Sequence, residues 1–295
     1  MSLNSGFDQT VLVSAEEGRL IAFLKYSNVH ILLVAFGLMA GTYVLTGIAL
    51  NYAVLLAGCC GAFLVYQLDR CLLVSAEDEI NQPARVLWVQ SHQIYIYLSI
   101  IFSMGVGGLA AVSLTWRAIL WGCLLAVLGV LYLQPVFPGG VRPKSSWYLK
   151  PLFISGAWSL GSVLLPVFEA GLTPDKWIVG LVGYRFLFIL PNVLLTDWLD
   201  RAGDELAGFR SIAMFLREKQ LRILSSFCVM VAITVGLLIG YGNAWPAHFY
   251  VDLGGLCLML LFCIRPLRQS YLLYGLALDL VISWPLATLL ATLFF

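Results

Sequence analysis

Three aspartates set the chemistry open to this chain. Asp197, Asp200 and Asp204 stand at i, i+3 and i+7, a spacing that places them on one face of a helix with their carboxylates converging. Bare carboxylates that close repel one another, and a hard cation relieves the repulsion. Mg²⁺ characteristically takes one or two carboxylates and completes its shell with phosphate oxygens and water, so a bound diphosphate is the natural ligand. A solvated acidic cap at a membrane exit, with Arg201 and Arg210 as counter-ions, is the competing reading of the same residues.

A second acidic cluster lies well upstream, with Asp69 and Arg70 followed by Asp78, Asn81, Pro83 and Arg85. Asp69 ends a long uncharged run, a costly place for an ion without a partner. Arg70 could be that partner in a structural salt bridge, or Asp69 could be a ligand. The stretch between Phe137 and Lys150 adds cations without nearby acids, namely Arg142, Lys144 and Lys150. These could clamp phosphate oxygens as charge builds on a leaving group, or simply mark the cytoplasmic side of the chain. Tyr66, Trp147, Tyr148, Trp158, Tyr184 and Phe186 offer rings that could face a carbocation or serve as interfacial anchors and packing. Asp279 sits mid-way along the last apolar run, where an ionisable group is a functional candidate: a base facing a cavity, or a buried partner of Arg185. Asp252 reads as interfacial.

The elements that must position these groups are membrane helices. Of the 295 residues 61% are hydrophobic and 11% charged, with a mean hydropathy of +0.91, against roughly 25% charged in soluble domains. This excludes a water-soluble domain. The net charge of +1 offers no basic footprint for nucleic acid. Seven cysteines, mostly inside apolar runs and without a CxxC, read as packing residues. The expected fold is all-α, a polytopic bundle of about nine transmembrane helices around a central cavity, with spans near 28–49, 51–74, 93–114, 117–135, 150–170, 177–197, 221–241, 248–264 and 270–294. Residues 1–26, polar and acidic in part at Asp8, Glu16 and Glu17 and without a signal-peptide pattern, form a cytoplasmic segment, and 27–295 a single transmembrane domain. Lys and Arg gather on alternate connections, which places the N-terminus and both acidic clusters on the cytoplasmic side. The lipid bilayer is the expected surrounding, and no obligatory protein partner is evident.

The segment from Asp197 to Gly208 resembles the DxxDxxxDxxxG signature of the UbiA superfamily of intramembrane prenyltransferases, with Asp197, Asp200, Asp204 and Gly208 on its fixed positions and Arg210, Ser211 and Ala213 continuing in its style. Asp69, Arg70, Asp78, Asn81, Pro83 and Arg85 resemble the family's NDxxDxxxD motif and its trailing Asn and Pro. Val65 and Tyr66 stand where the opening Asn and Asp belong, and about five additional residues separate Arg70 from Asp78. The YxxxK spacing of the basic loop is absent; Tyr148 and Lys150 are loosely similar. The resemblance implies a Mg²⁺-dependent enzyme acting on a prenyl diphosphate and a lipophilic acceptor, with Asp69, Asp78, Asp197, Asp200 and Asp204 as catalytic metal ligands. It implies that Tyr66, Arg70, Asn81, Arg142, Lys144, Lys150, Arg201 and Arg210 bind substrate. A terpene cyclase of the same superfamily, in which the ionised chain attacks itself, and a transporter are the alternatives. The first parts from transferase by acceptor dependence, the second by absence of turnover.

Overall fold

A computed structural model describes residues 19–72, 76–136, 142–206, 208, 210–242, 248–265 and 271–293. The stretch 137–141, the outer connection 243–247, the N-terminal acids and Arg268 lie outside them. Every regular element among the described residues is helical: α1 (Arg19–Tyr26), α2 (His30–Thr46), α3 (Tyr52–Gln67), α4 (Ala76–Asn81), α5 (Pro83–Ser91), α6 (Gln93–Val112), α7 (Trp116–Leu133), α8 (Leu149–Glu169), α9 (Lys176–Leu206), α10 (Ile212–Phe215), α11 (Glu218–Gly242), α12 (Phe249–Ile264), α13 (Tyr271–Ile282) and α14 (Pro285–Ala291). The chain is a multi-pass membrane protein. Six described helices are long and apolar enough to cross a bilayer, or eight if each of two bent pairs is one span, and α12 is a shorter apolar helix. Where the sequence suggests about nine spans, the described residues hold six long apolar helices, two bent pairs and the shorter α12.

The breaks decide the interior. α1 and α2 meet at 67° around Asn28, which is buried and left-handed at φ 60°. A break in lipid exposes backbone groups that must find partners. Gln67 of α3 supplies them, donating to the Ser27 carbonyl at 2.9 Å and accepting from Asn28 Nδ2 at 3.3 Å. α13 and α14 meet at 49°, with Pro285 as the first residue of α14. There it lacks only an N–H that would be unpaired in any case. α2 packs on both halves of this second break.

α9 is the central helix, packed between α8 and α11, with Tyr184, Phe188 and Leu195 fully buried. α6 and α7 are exposed over most of their length, as suits lipid-facing helices. At the end of the bundle away from the aspartates, Asn51 caps α3 through Ala53 N and Val54 N and Thr115 caps α7 through Ala118 N. Glu169, at the end of α8, ties both caps together by accepting from Asn51 Nδ2 and from Thr115 N and Oγ1.

Asp252 is a correction to the interfacial reading. It is buried and accepts both terminal nitrogens of Arg185 at 2.9 and 3.0 Å, the Tyr184 hydroxyl at 2.6 Å and the Thr288 hydroxyl at 3.2 Å. Arg185 therefore pairs with Asp252 and not with Asp279. A charge pair so buried is tolerable because the carboxylate is saturated with donors.

Candidate active site

The second aspartate motif occupies the last turns of α9, which continues to Leu206. Asp197 and Asp204 are buried on the inward face with Asp200 between them, and all three line one cavity. Gly208 adopts φ 75° just past the helix end, a left-handed conformation that suits glycine. The first motif begins where α3 widens into a π-helical turn, Leu68–Leu72, a local feature common at functional sites. That turn carries Asp69 and Arg70 into the same cavity. α4 and α5 follow, bringing Asp78, Asn81 and Arg85 to its rim.

The two motifs touch through Asn81. Its Oδ1 accepts the backbone N–H of Gly203 at 2.9 Å, and its Nδ2 makes a long contact of 3.5 Å to Asp204 Oδ1. A Cβ on residue 203 would collide with the Asn81 amide, so glycine is required for this approach.

Asp197, Asp204, Asp69 and Asp78 each meet a cation. Lys150, at the start of α8, lies 2.8 Å from Asp197 Oδ1 and 3.6 Å from Asp204 Oδ2. Lys144 lies 3.2 Å from Asp69 Oδ1, a cation the sequence reading did not set beside this aspartate. The Arg70 guanidinium sits over the Tyr66 ring at 5.0 Å. Arg85, fully buried, pairs with Asp78. Burial by itself would push the Asp78 carboxyl up, but Arg85, Lys144 and Arg70 outweigh it and hold the group below the usual carboxylate value.

Among the substrate-binding residues expected from sequence, Tyr66, Arg70, Asn81, Lys144, Lys150 and Arg210 line the cavity, whereas Arg142 and Arg201 do not. Arg201 lies over the Trp198 ring at 5.1 Å. Of the rings, Tyr66 and Trp158 line the cavity, and the Trp158 indole donates to the Tyr66 hydroxyl at 3.3 Å. Tyr184 is in the Asp252 network, Phe186 lies off the cavity, and Trp147 and Tyr148 are exposed. Sequence reasoning missed Tyr132 and Phe153, which stack in parallel at 4.4 Å within the lining. It also missed Asn192. No motif marks these three; they become visible only when α7, α8 and α9 are in place.

The cavity has a volume of about 500 Å³. Beyond its polar mouth it runs between α3, α6, α7 and α8 as far as Leu114 and Ala118, and small residues such as Gly61, Ala62, Gly122 and Ala157 line much of it. This is a charged opening on a long apolar slot. The expected convergence of three carboxylates is not met, since among the described residues no three acids, histidines or cysteines stand close enough to hold an ion together; an ion here would take one or two carboxylates and complete its shell with phosphate and water. Asp197 Oδ2 is buried without a hydrogen-bond partner among the described residues, an acceptor atom that a bound cation or water would satisfy.

No family model matches the chain. A digeranylgeranylglyceryl phosphate synthase of Pyrococcus furiosus is 24% identical over 187 residues, a stretch that spans 60% of this chain and 61% of that relative. A solved structure described as concerning digeranylgeranylglyceryl phosphate synthase superposes with a TM-score of 0.58 at 16% identity, covering 92% of this chain and 97% of the other. A UbiA homologue from Archaeoglobus fulgidus, solved with DMAPP and Mg²⁺, superposes with a TM-score of 0.60 at 12% identity over 93% of this chain and 98% of that one. The chain has the UbiA fold. Asp197, Asp200, Asp204 and Gly208 stand on the last turns of α9 and just past its end, and Tyr66, Asp69 and α4 face them across the cavity.

Proposed function

We propose that the chain is a Mg²⁺-dependent intramembrane prenyltransferase that moves an isoprenyl group from a prenyl diphosphate to a lipophilic acceptor, with a hydroxyl or an aromatic ring as nucleophile. The observation that supports this reading is the meeting of Asp69 and Asp78 with Asp197, Asp200 and Asp204 at the mouth of an apolar slot. Bound Mg²⁺ would supply Lewis-acid charge to the diphosphate as its bond to the allylic carbon breaks. The aspartates would hold the metal from both sides. Lys144, Lys150 and Arg210 are placed to take phosphate oxygens, adding fixed positive charge where negative charge develops. Below them the faces of Tyr66 and Trp158 would stabilise the allylic cation, and the apolar lining keeps water from capturing it. The slot between α3, α6, α7 and α8 accepts the isoprenoid tail.

The bias of Lys and Arg toward alternate connections supports a cytoplasmic N-terminus and site mouth, and in this reading residues 27–295 act as one domain. The curated relative suggests one acceptor class to try, a glyceryl phosphate lipid.

The test is product analysis by mass spectrometry. Purified protein is incubated with dimethylallyl or geranylgeranyl diphosphate, with and without Mg²⁺, and with geranylgeranylglyceryl phosphate, 4-hydroxybenzoate or no acceptor. An adduct that requires both Mg²⁺ and an acceptor is expected. A cyclic hydrocarbon or alcohol formed without acceptor would identify a cyclase instead, and binding without turnover would point to a transporter.

A further inference from the structure

The two broken spans bring four polar groups together at membrane depth. Lys25 lies in the last turn of α1, His30 opens α2, Asp279 lies on α13 just before its break, and Asn192 belongs to α9. Lys25 Nζ and His30 Nε2 both approach Asp279 Oδ2, the histidine at 3.2 Å, and Asn192 Nδ2 makes a long contact of 3.4 Å with Oδ1. Lys25 and His30 are sealed from solvent, whereas Asp279 and Asn192 line the same cavity as Asp197 and Asp200. Asn192 is only 8% exposed, and its Oδ1 has no hydrogen bond among the described residues. The next charges outward are Arg70 and Asp200.

Hydrogen-bond geometry determines what the cluster lacks. His30 Nδ1 lies 2.9 Å from the Leu24 carbonyl. A carbonyl only accepts, so Nδ1 carries the hydrogen. In the neutral ring Nε2 is then a bare lone pair facing a carboxylate oxygen, a contact between two acceptors. One added proton converts it into a charge-assisted hydrogen bond. The cluster gains a bond by taking up a proton from the cavity, where an uncharged structural contact would gain nothing.

Depth makes this useful. Asn192 precedes Asp197 by five positions on α9, which at about 1.5 Å per residue sets it about 7.5 Å deeper. A diphosphate held at Asp197 would put its allylic carbon between the two levels, and an acceptor oxygen attacking from below would need to approach within roughly 3–3.5 Å of that carbon.

We propose that Asp279, backed by His30, takes the proton that an acceptor hydroxyl loses when it is prenylated, with Asn192 Oδ1 positioning that hydroxyl. The proposal rests on the prenyl-transfer reading above. The bond from the allylic carbon to diphosphate breaks and its electron pair leaves on the diphosphate. A lone pair of the acceptor oxygen forms the new carbon–oxygen bond. The O–H pair stays on that oxygen, and the proton passes through the Asp279 carboxyl to rest on His30 Nε2, hydrogen-bonded to Oδ2.

The test uses the full chain with geranylgeranyl diphosphate and Mg²⁺, with geranylgeranylglyceryl phosphate and 4-hydroxybenzoate as acceptor probes, and follows diphosphate release. Asp279→Asn and His30→Gln are expected to slow release by at least about a hundredfold, the span of a general base. Binding of geranylgeranyl thiolodiphosphate with Mg²⁺ should stay within about threefold of wild type in both, reporting an intact fold and donor site. Nitrogen NMR supplies a readout independent of turnover. The chain has three histidines, so His30→Gln assigns the ring, whose Nδ1 should carry the hydrogen bonded to the Leu24 carbonyl. No release by the wild-type protein with either probe would overturn the prenyl-transfer reading and this proposal with it. Wild-type release rates in Asp279→Asn, parallel loss of binding and release in both variants, or a His30 ring protonated on Nε2 alone would overturn the proposal and leave the reading standing.

Discussion

Asn81 accepts the backbone N–H of Gly203 at 2.9 Å, and through this bond the rim helix α4 is fastened to the last turn of α9. Two stretches of chain more than 120 residues apart thereby hold the geometry in which acids from both motifs face one opening.

Gly203→Ala should therefore damage the site more than the fold. The added methyl meets the Asn81 amide, forcing α4 away from α9. Asn81→Ala removes the bond without the collision, at a cost of about 0.5–1.5 kcal/mol for a typical hydrogen bond. Titration with Mg²⁺ and a prenyl diphosphate should show weaker binding in both variants, more so in Gly203→Ala, with only a small fall in Tm.

The aspartates of α9 should behave as one unit. Asp197→Asn and Asp200→Asn are each expected to lower turnover by about 10²–10³, the scale of losing one electrostatic element of a preorganised site. The double variant should be little worse than either single, because residues that act together are not additive. Chelation of Mg²⁺ should abolish turnover in the parent protein, and multiplicative losses in the double variant would contradict a shared metal–diphosphate grip.

The slot should be shortened from within. A Cβ at Gly61 meets nothing within 4 Å, and Gly61 lines the cavity. Gly61→Leu is expected to leave dimethylallyl diphosphate use near wild type and to reduce geranylgeranyl diphosphate use sharply, read as the ratio of kcat/KM for the two donors. Equal effects on both would mean that the tail runs elsewhere.

Arg185 and Asp252 lie away from the cavity, fully buried and joined by both terminal nitrogens of the guanidinium. Breaking the pair strands a charge, which costs about 3–5 kcal/mol in buried pairs. Arg185→Met should lower Tm strongly while activity per folded molecule is kept, whereas Arg185→Met with Asp252→Leu should recover part of the loss.

Asp78 gives the protein an acid limit. Its carboxyl is held below the usual value by Arg85 and neighbouring cations, so its contribution to stability is complete above the unfolded value of about 3.9. It is lost as pH falls through the lower folded value. Tm of the parent protein should approach that of Asp78→Asn as the solution is acidified, and the gap should be widest near neutrality.

The sequence by itself determined the membrane class, most helix positions and the three aspartates of α9, because apolar runs and an i, i+3, i+7 spacing are local properties that a helix converts directly into a face. It also carried the first motif's residues, although not their partners. Tertiary structure alone decided which cation meets which acid: Lys144 beside Asp69, Arg185 with Asp252 rather than Asp279, and Lys25 and His30 with Asp279 across some 250 residues of chain. Such pairs depend on how helices cross and where spans break. No periodicity records that, because a bilayer-buried charge is satisfied by whatever the packing of distant helices brings within reach.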